Sequence, residues 1–154
     1  MALPTKAPVA DYVWDHDGRD MPIWTLTRRE CLDLLAGVSL GRVVGTVGGL
    51  PVVFPVHFAL DGDSVVFGAE DESLLTTSTT GAIVGFQADT YNARERTGWN
   101  VLGAGRGSRI FNPRSGFSQR FATLEPWTLG ERGDHLLRVD LTRLEGTLVD
   151  GSGF

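Results

Sequence analysis

Lysine is nearly missing from this chain. Lys6 stands beside thirteen arginines, and these fourteen bases face nineteen acids, which leaves a net charge of −5 over 154 residues. An acidic balance of this kind provides no basic stripe to follow a phosphate backbone, which excludes nucleic-acid binding as an expectation. Cysteine is as scarce. Cys31 alone allows neither an internal disulfide framework nor a cysteine-based zinc site, and it suits a reducing cytoplasm. No apolar run approaches the roughly 18 residues that a membrane helix needs, and the first twenty-two residues, with Pro4 and Pro8, contain no signal-peptide core. The expectation is a cytoplasmic protein with no membrane partner. Three histidines occur without H-E-x-x-H, a P-loop, a G-x-S-x-G elbow or a strand-linked G-x-G-x-x-G, so metalloprotease, hydrolase and dinucleotide-fold readings lack their motifs.

What the chain does have is glycine, 20 residues of it, without a period. Collagen-like and low-complexity readings therefore fail, and the length suits one domain. Residues 1–25 read as an N-terminal arm, irregular over 1–24 and carrying Tyr12, Trp14 and Trp24; residues 26–154 read as the domain. Thr27-Arg28-Arg29-Glu30 matches a capping box, and Cys31, Leu34, Leu35 and Val38 follow at helical spacing, which predicts a helix over about 27–37. From Gly41 the period becomes two. Strands are expected over 42–47, 51–60, 64–68, 82–88 and 98–111, with a last one over 135–149 and a short helix within 70–80. In the second strand Val52, Phe54, Val56, Phe58 and Leu60 take one face, and Val53, Pro55, His57 and Ala59 the other. Two largely apolar faces predict cover on both sides, by a barrel interior and by a helix, partner chain or ligand. Six closely spaced strands, one firm helix and hairpin turns make the chain mainly β, an antiparallel barrel with a few short helices.

Candidate chemistry is sparse. Asp15-His16-Asp17 resembles a metal cluster on paper, but neighbouring charges in an arm are ordinarily solvated, and no metal is expected. Gly103-Ala104-Gly105-Arg106-Gly107 looks suited to phosphate, yet its place inside a strand favours close approach of another backbone. His57 interrupts an apolar face, where an imidazole needs a partner; a core hydrogen bond accounts for it as well as a ligand does. Trp99 opens the longest strand, where it can stack on an aromatic ligand or simply fill the core.

The order of these pieces along the chain is more specific than any one of them. Gly41-Arg42-Val43, Gly49-Leu50-Pro51, Phe54-Pro55-Val56-His57-Phe58 and Asp61-Gly62-Asp63-Ser64-Val65-Val66-Phe67 come first. Arg96-Thr97-Gly98-Trp99-Asn100-Val101-Leu102, Gly105-Arg106-Gly107, Pro126-Trp127 and Asp134-His135 follow. Over residues 26–149 this set resembles the pyridoxamine 5′-phosphate oxidase-like family, in its actinobacterial branch. The resemblance implies a six-stranded Greek-key split β-barrel that forms a homodimer and binds FMN or a deazaflavin coenzyme in clefts between subunits, with hydride transfer as the family chemistry. It implies that Val56, His57 and Phe58, with Phe67, Gly68 and Ala69, lie near the ring. Ser73, Leu74 and Leu75 would form the phosphate-binding helix start, and Trp99 and Asn100 would approach across the dimer interface.

One stretch departs from the family pattern. Members commonly place an arginine after the strand phenylalanine and a lysine after the helix serine. Gly68 and Leu74 stand at these positions here, and Glu70-Asp71-Glu72 lies between them. Losing two cations and adding three carboxylates costs on the order of 1 kcal/mol or more per charge against a phosphate. Ser73, the backbone amides at the helix start or Arg106 is the expected partial compensation. Two readings follow: a flavin- or deazaflavin-dependent oxidoreductase, or a cofactor-degenerate split-barrel dimer that serves as a binding or structural module for another small ligand.

Overall fold

The capping box forms as its residue types require. In the computed structural model, which describes residues 9–14, 20–111 and 135–151, the Thr27 hydroxyl accepts from the Glu30 backbone N–H and the Glu30 carboxylate accepts from the Thr27 N–H at 2.7 Å. Helix α1 (Arg28–Ala36) follows, with Gly37 as its C-cap. Cys31 and Leu35, one turn apart, are its fully buried residues. Arg28 anchors the helix at long range, donating to the Leu141 carbonyl at 2.6 Å and to Asp63 at 3.0 Å.

Among the described residues nine strands accompany the helix: β1 (Val9–Trp14), β2 (Asp20–Leu26), β3 (Leu40–Val47), β4 (Leu50–Asp61), β5 (Ser64–Ala69), β6 (Ile83–Asn92), β7 (Thr97–Ile110), β8 (His135–Asp140) and β9 (Arg143–Asp150), with helix α2 (Leu74–Thr79) between β5 and β6. Their pairings are antiparallel. Gly48 and Gly49, both at positive φ, make the two-residue turn from β3 to β4, a conformation that favours glycine. Strands β6, β3, β4, β5, β8 and β7 close into a ring, and β9, β2 and β1 extend outward from β7. The ring is a six-stranded split barrel. Its interior holds the largest buried side chains, Phe58, Phe67 and Phe86, the first and last meeting edge to face at 4.8 Å. Among the described residues no helix is long and apolar enough to cross a membrane.

Two expectations need correction. The arm expected to be irregular contributes β1 and β2, and β2 adds to the edge of β9 from Ile23↔Val149 to Leu26↔Gly146. Its pairing partner lies over a hundred residues away, so no nearby turn announces it. Trp24 packs partly buried against the core there. The single closing strand is instead two, β8 and β9, divided at Leu141-Thr142. Leu141 is itself buried, so the apolar run continues through the corner and hides it from a reading of periodicity.

Strand β7 explains the corner. Its first half, to Ala104, pairs with β9; its end, from Gly107 to Ile110, pairs with β8. The β8–β9 corner crosses where the partner changes. A Cβ on Gly105 would stand 1.4 Å from the Asp140 carbonyl oxygen, and one on Gly107 would stand 2.1 Å from the Thr79 carbonyl oxygen. The glycine-rich motif thus admits two backbones, as its place in a strand suggested.

Candidate functional site

Alternation along β4 turns Val56 and Phe58 into the barrel and leaves Val53, Pro55 and His57 on the outer face. Register carries that face across three more strands. Val53, Val44, Gly85 and Ala104 stand in one row, and Pro55, Arg42, Gln87 and Leu102 in the next. Val53, Ile83 and Leu102 are 60%, 67% and 45% exposed, an apolar surface on an otherwise acidic protein. Beside it runs a polar chain that crosses strands. Arg42 donates to Asp89 at 2.7 Å and to Gln87 at 3.3 Å, and Gln87 donates to Asn100 at 2.9 Å. Asn100 is thereby held on the same face as His57, itself half-buried opposite Leu40. An open cavity of about 560 Å³ adjoins this chain, lined by Gly37, Val38, Leu40, Arg42, Asp89 and Thr90. The sequence singled out His57 and Asn100 but missed Gln87 and Asp89, whose role depends on cross-strand register alone.

The second part of the site lies where β5 runs into α2. Phe67 and Ala69 are buried with Val56 and Phe58, so these four side chains are core, and a ligand beside them would meet backbone. Gly68 is buried opposite Leu136. Ser73 caps α2: its hydroxyl accepts from the Thr76 N–H and donates to the Glu70 carbonyl, which also accepts from the Thr76 hydroxyl at 2.6 Å. His135 Nε2 lies 3.2 Å from that Thr76 hydroxyl. Leu75 packs toward the core and Leu74 is 58% exposed. Glu72 sits at φ 57, in the left-handed region. Arg106, the expected compensating cation, instead donates to the Gly81 carbonyl at 2.8 Å. The cation that reaches this loop is Arg109, 3.1 Å from Asp71 and 5.4 Å above the Phe111 ring.

Asn100 and Arg109 lie far apart within a single chain. Trp99 and Asn100 belong to the start of β7 and Arg109 to its end; ten residues of strand span about 30 Å. Trp99 is 8% exposed and belongs to the core cluster. It also borders an open groove of about 760 Å³ with Tyr91, Glu95, Leu148 and Asp150. Among the described residues no group of His, Cys, Asp and Glu gathers as metal ligands. Asp15-His16-Asp17, Pro126-Trp127 and Asp134 lie outside the described residues.

Comparison with known proteins agrees with this fold. A family model described as pyridoxamine 5′-phosphate oxidase matches residues 27–148. The uncharacterised protein Rv0080 of Mycobacterium tuberculosis is 32% identical over 107 residues, which cover 66% of this chain and 70% of the relative. Among solved structures, the FAD binding protein from Mycobacterium smegmatis superposes with a TM-score of 0.65 at 25% identity, covering 82% of this chain and 97% of that one. An FAD-binding protein from Mesorhizobium loti has the same fold, with a TM-score of 0.65 at 17% identity over 84% of this chain and 98% of that one. The match extends from the capping box of α1 to the last rungs of β9, across the whole ring, and the chain belongs to the pyridoxamine 5′-phosphate oxidase-like family.

Proposed function

We propose that this chain is a flavin-binding split-barrel protein that works as a homodimer, with a hydride-transferring oxidoreductase as the fuller reading. One observation carries the proposal: the exposed apolar rows around Val53 and Leu102 lie edge to edge with the polar chain Arg42–Asp89–Gln87–Asn100 and with His57. An exposed apolar sheet face of this kind marks an interaction surface. A second copy laid on it would bring Trp99 and Asn100 of one chain toward the β4 and β5 strand ends of the other, while within one chain β7 keeps them apart from Arg109. The FAD-binding protein of Mycobacterium smegmatis supports a flavin as the ligand class. FMN, FAD and a deazaflavin share a tricyclic ring and a phosphate, and the bound coenzyme would supply the hydride chemistry while the protein orients it. The residues fit such a group in part: the outer face offers a flat apolar surface with amide and imidazole partners, and Arg109 offers a cation near the loop of residues 70–72.

The acidic loop favours the second reading, a split-barrel dimer that has lost the usual coenzyme and acts as a binding or structural module. A direct experiment separates them. Purified protein is scanned from 350 to 500 nm (a range wide enough for flavin and deazaflavin absorbance), then titrated with FMN, FAD and the deazaflavin coenzyme. Saturable binding of one supports the flavin reading. Colourless protein that binds none supports the second reading.

A further inference from the structure

We propose that Arg109 is the phosphate-binding residue of this site, and that Asp71 is the carboxylate a phosphate must displace to reach it; the proposal rests on the flavin reading above. Residues 68 and 74 offer no cation, being glycine and leucine. The nearby hydroxyls are committed elsewhere, since Ser73 and Thr76 both donate to the Glu70 carbonyl. Arg106 is turned to Gly81. Arg109 alone of these candidates presents its guanidinium to the loop that joins β5 to α2.

Its position comes from the barrel. Arg109 pairs with Leu137, which pairs with Phe67 on β5, so the row that carries Arg109 runs directly to the strand that leads into residues 70–72. The Phe111 ring lies 5.4 Å from the guanidinium, within cation–π range, while Nη1 reaches the loop. Nη1 meets Asp71 Oδ1 at 3.1 Å. The Asp71 carboxylate meets the guanidinium through one oxygen, and a phosphate can meet the same planar group through two. Asp71 is 57% exposed at its side chain and Arg109 30%. An exposed carboxylate holds such a partner weakly. A phosphate dianion is a stronger partner than a single carboxylate, so the exchange is favourable. The site would therefore take a phosphorylated ligand through one arginine contributed by β7, in place of cations on β5 and α2.

The test compares FMN with riboflavin, which has the same ring and no phosphate, by fluorescence titration on the full-length protein. Arg109→Gln should weaken FMN binding about 10- to 100-fold and leave riboflavin within about twofold. Asp71→Asn removes the competitor and should tighten FMN binding about three- to tenfold, again without effect on riboflavin. Arg109→Lys keeps the charge and loses the fork, so it should fall between wild type and Arg109→Gln. If Arg109→Gln fails to fold, Asp71→Asn and Arg109→Lys carry the test. Equal losses for FMN and riboflavin, or weaker FMN binding by Asp71→Asn, overturn the role of Arg109 and leave the flavin reading standing. Wild-type protein that binds none of FMN, riboflavin, FAD and the deazaflavin coenzyme overturns both.

Discussion

Gly105 shows how much a single hydrogen atom can hold at the residue scale. The β8–β9 corner occupies the volume a side chain would need, with the Asp140 carbonyl oxygen 1.4 Å from the position of a Cβ. The obstacle is backbone, and no rotamer relieves it. Gly105→Ala should therefore cost about 3 kcal/mol or more in a urea melt, and a loss below about 1 kcal/mol would mean that the corner yields. Cys31 makes a second case. It is fully buried on α1, and a Cβ on Gly146 would come within 2.8 Å of its sulfur, so α1 and β9 meet there closely. Burial, with the Glu30 carboxylate beside it, pushes the thiol up from 9.0 to about 11. The folded protein thus holds that proton more tightly than the unfolded chain. Its contribution to stability is complete below pH 9 and is lost as pH rises toward 11. Native protein should resist a thiol reagent at pH 8 and react fully once unfolded; rapid labelling of folded protein would contradict the burial of the sulfur.

At the scale of elements, helix α1 was the most legible part of the chain, because its signal is local. Thr27 and Glu30 are three residues apart and satisfy each other's backbone groups. Thr27→Ala should cost about 1 kcal/mol, read as a lower melting temperature with unchanged circular dichroism shape. Strands β3, β4, β6 and β7 were legible for a similar reason, since alternation runs along them and Gly48-Gly49 marks the turn between the first two. Legibility ended where the decisive partner is far along the chain. Nothing near Ile23 or Trp24 shows that β9 will offer an edge. Nothing in the run from His135 to Val149 marks a corner, because Leu141 stays apolar while the backbone changes sheets. The candidate site followed the same division. His57 and Asn100 stand out by residue type, but their common outer face is a product of register. Arg109 was passed over since its importance comes from Asp71, 38 positions earlier.

For the whole molecule, the apolar outer face makes the strongest demand. Leu102 and Val53 lie on the face proposed to meet a second copy, and their side chains leave the barrel interior untouched. Leu102→Glu places a charge at that contact without disturbing the core. Light scattering after size exclusion should then show the mass falling from two chains to one, with the thermal transition retained. A monomeric wild type would refute the dimer outright.

The closure of the barrel has a further consequence. Strands β3 and β6 are joined over three paired positions, Arg42↔Gln87 to Val44↔Gly85, and β7 and β8 over four, whereas β6 and β7 share ten. The ring is therefore least closely joined at the β3–β6 seam, and amide protons there should exchange sooner than those of the β6–β7 hairpin. Across the shorter seam lie the side-chain bonds from Arg42 to Gln87 and Asp89. They act as a stitch where the backbone supplies few. Arg42→Ala should speed exchange at Val43 and Val44 well before it changes exchange within the β6–β7 hairpin, and a ligand resting on that face would tighten the same seam from outside.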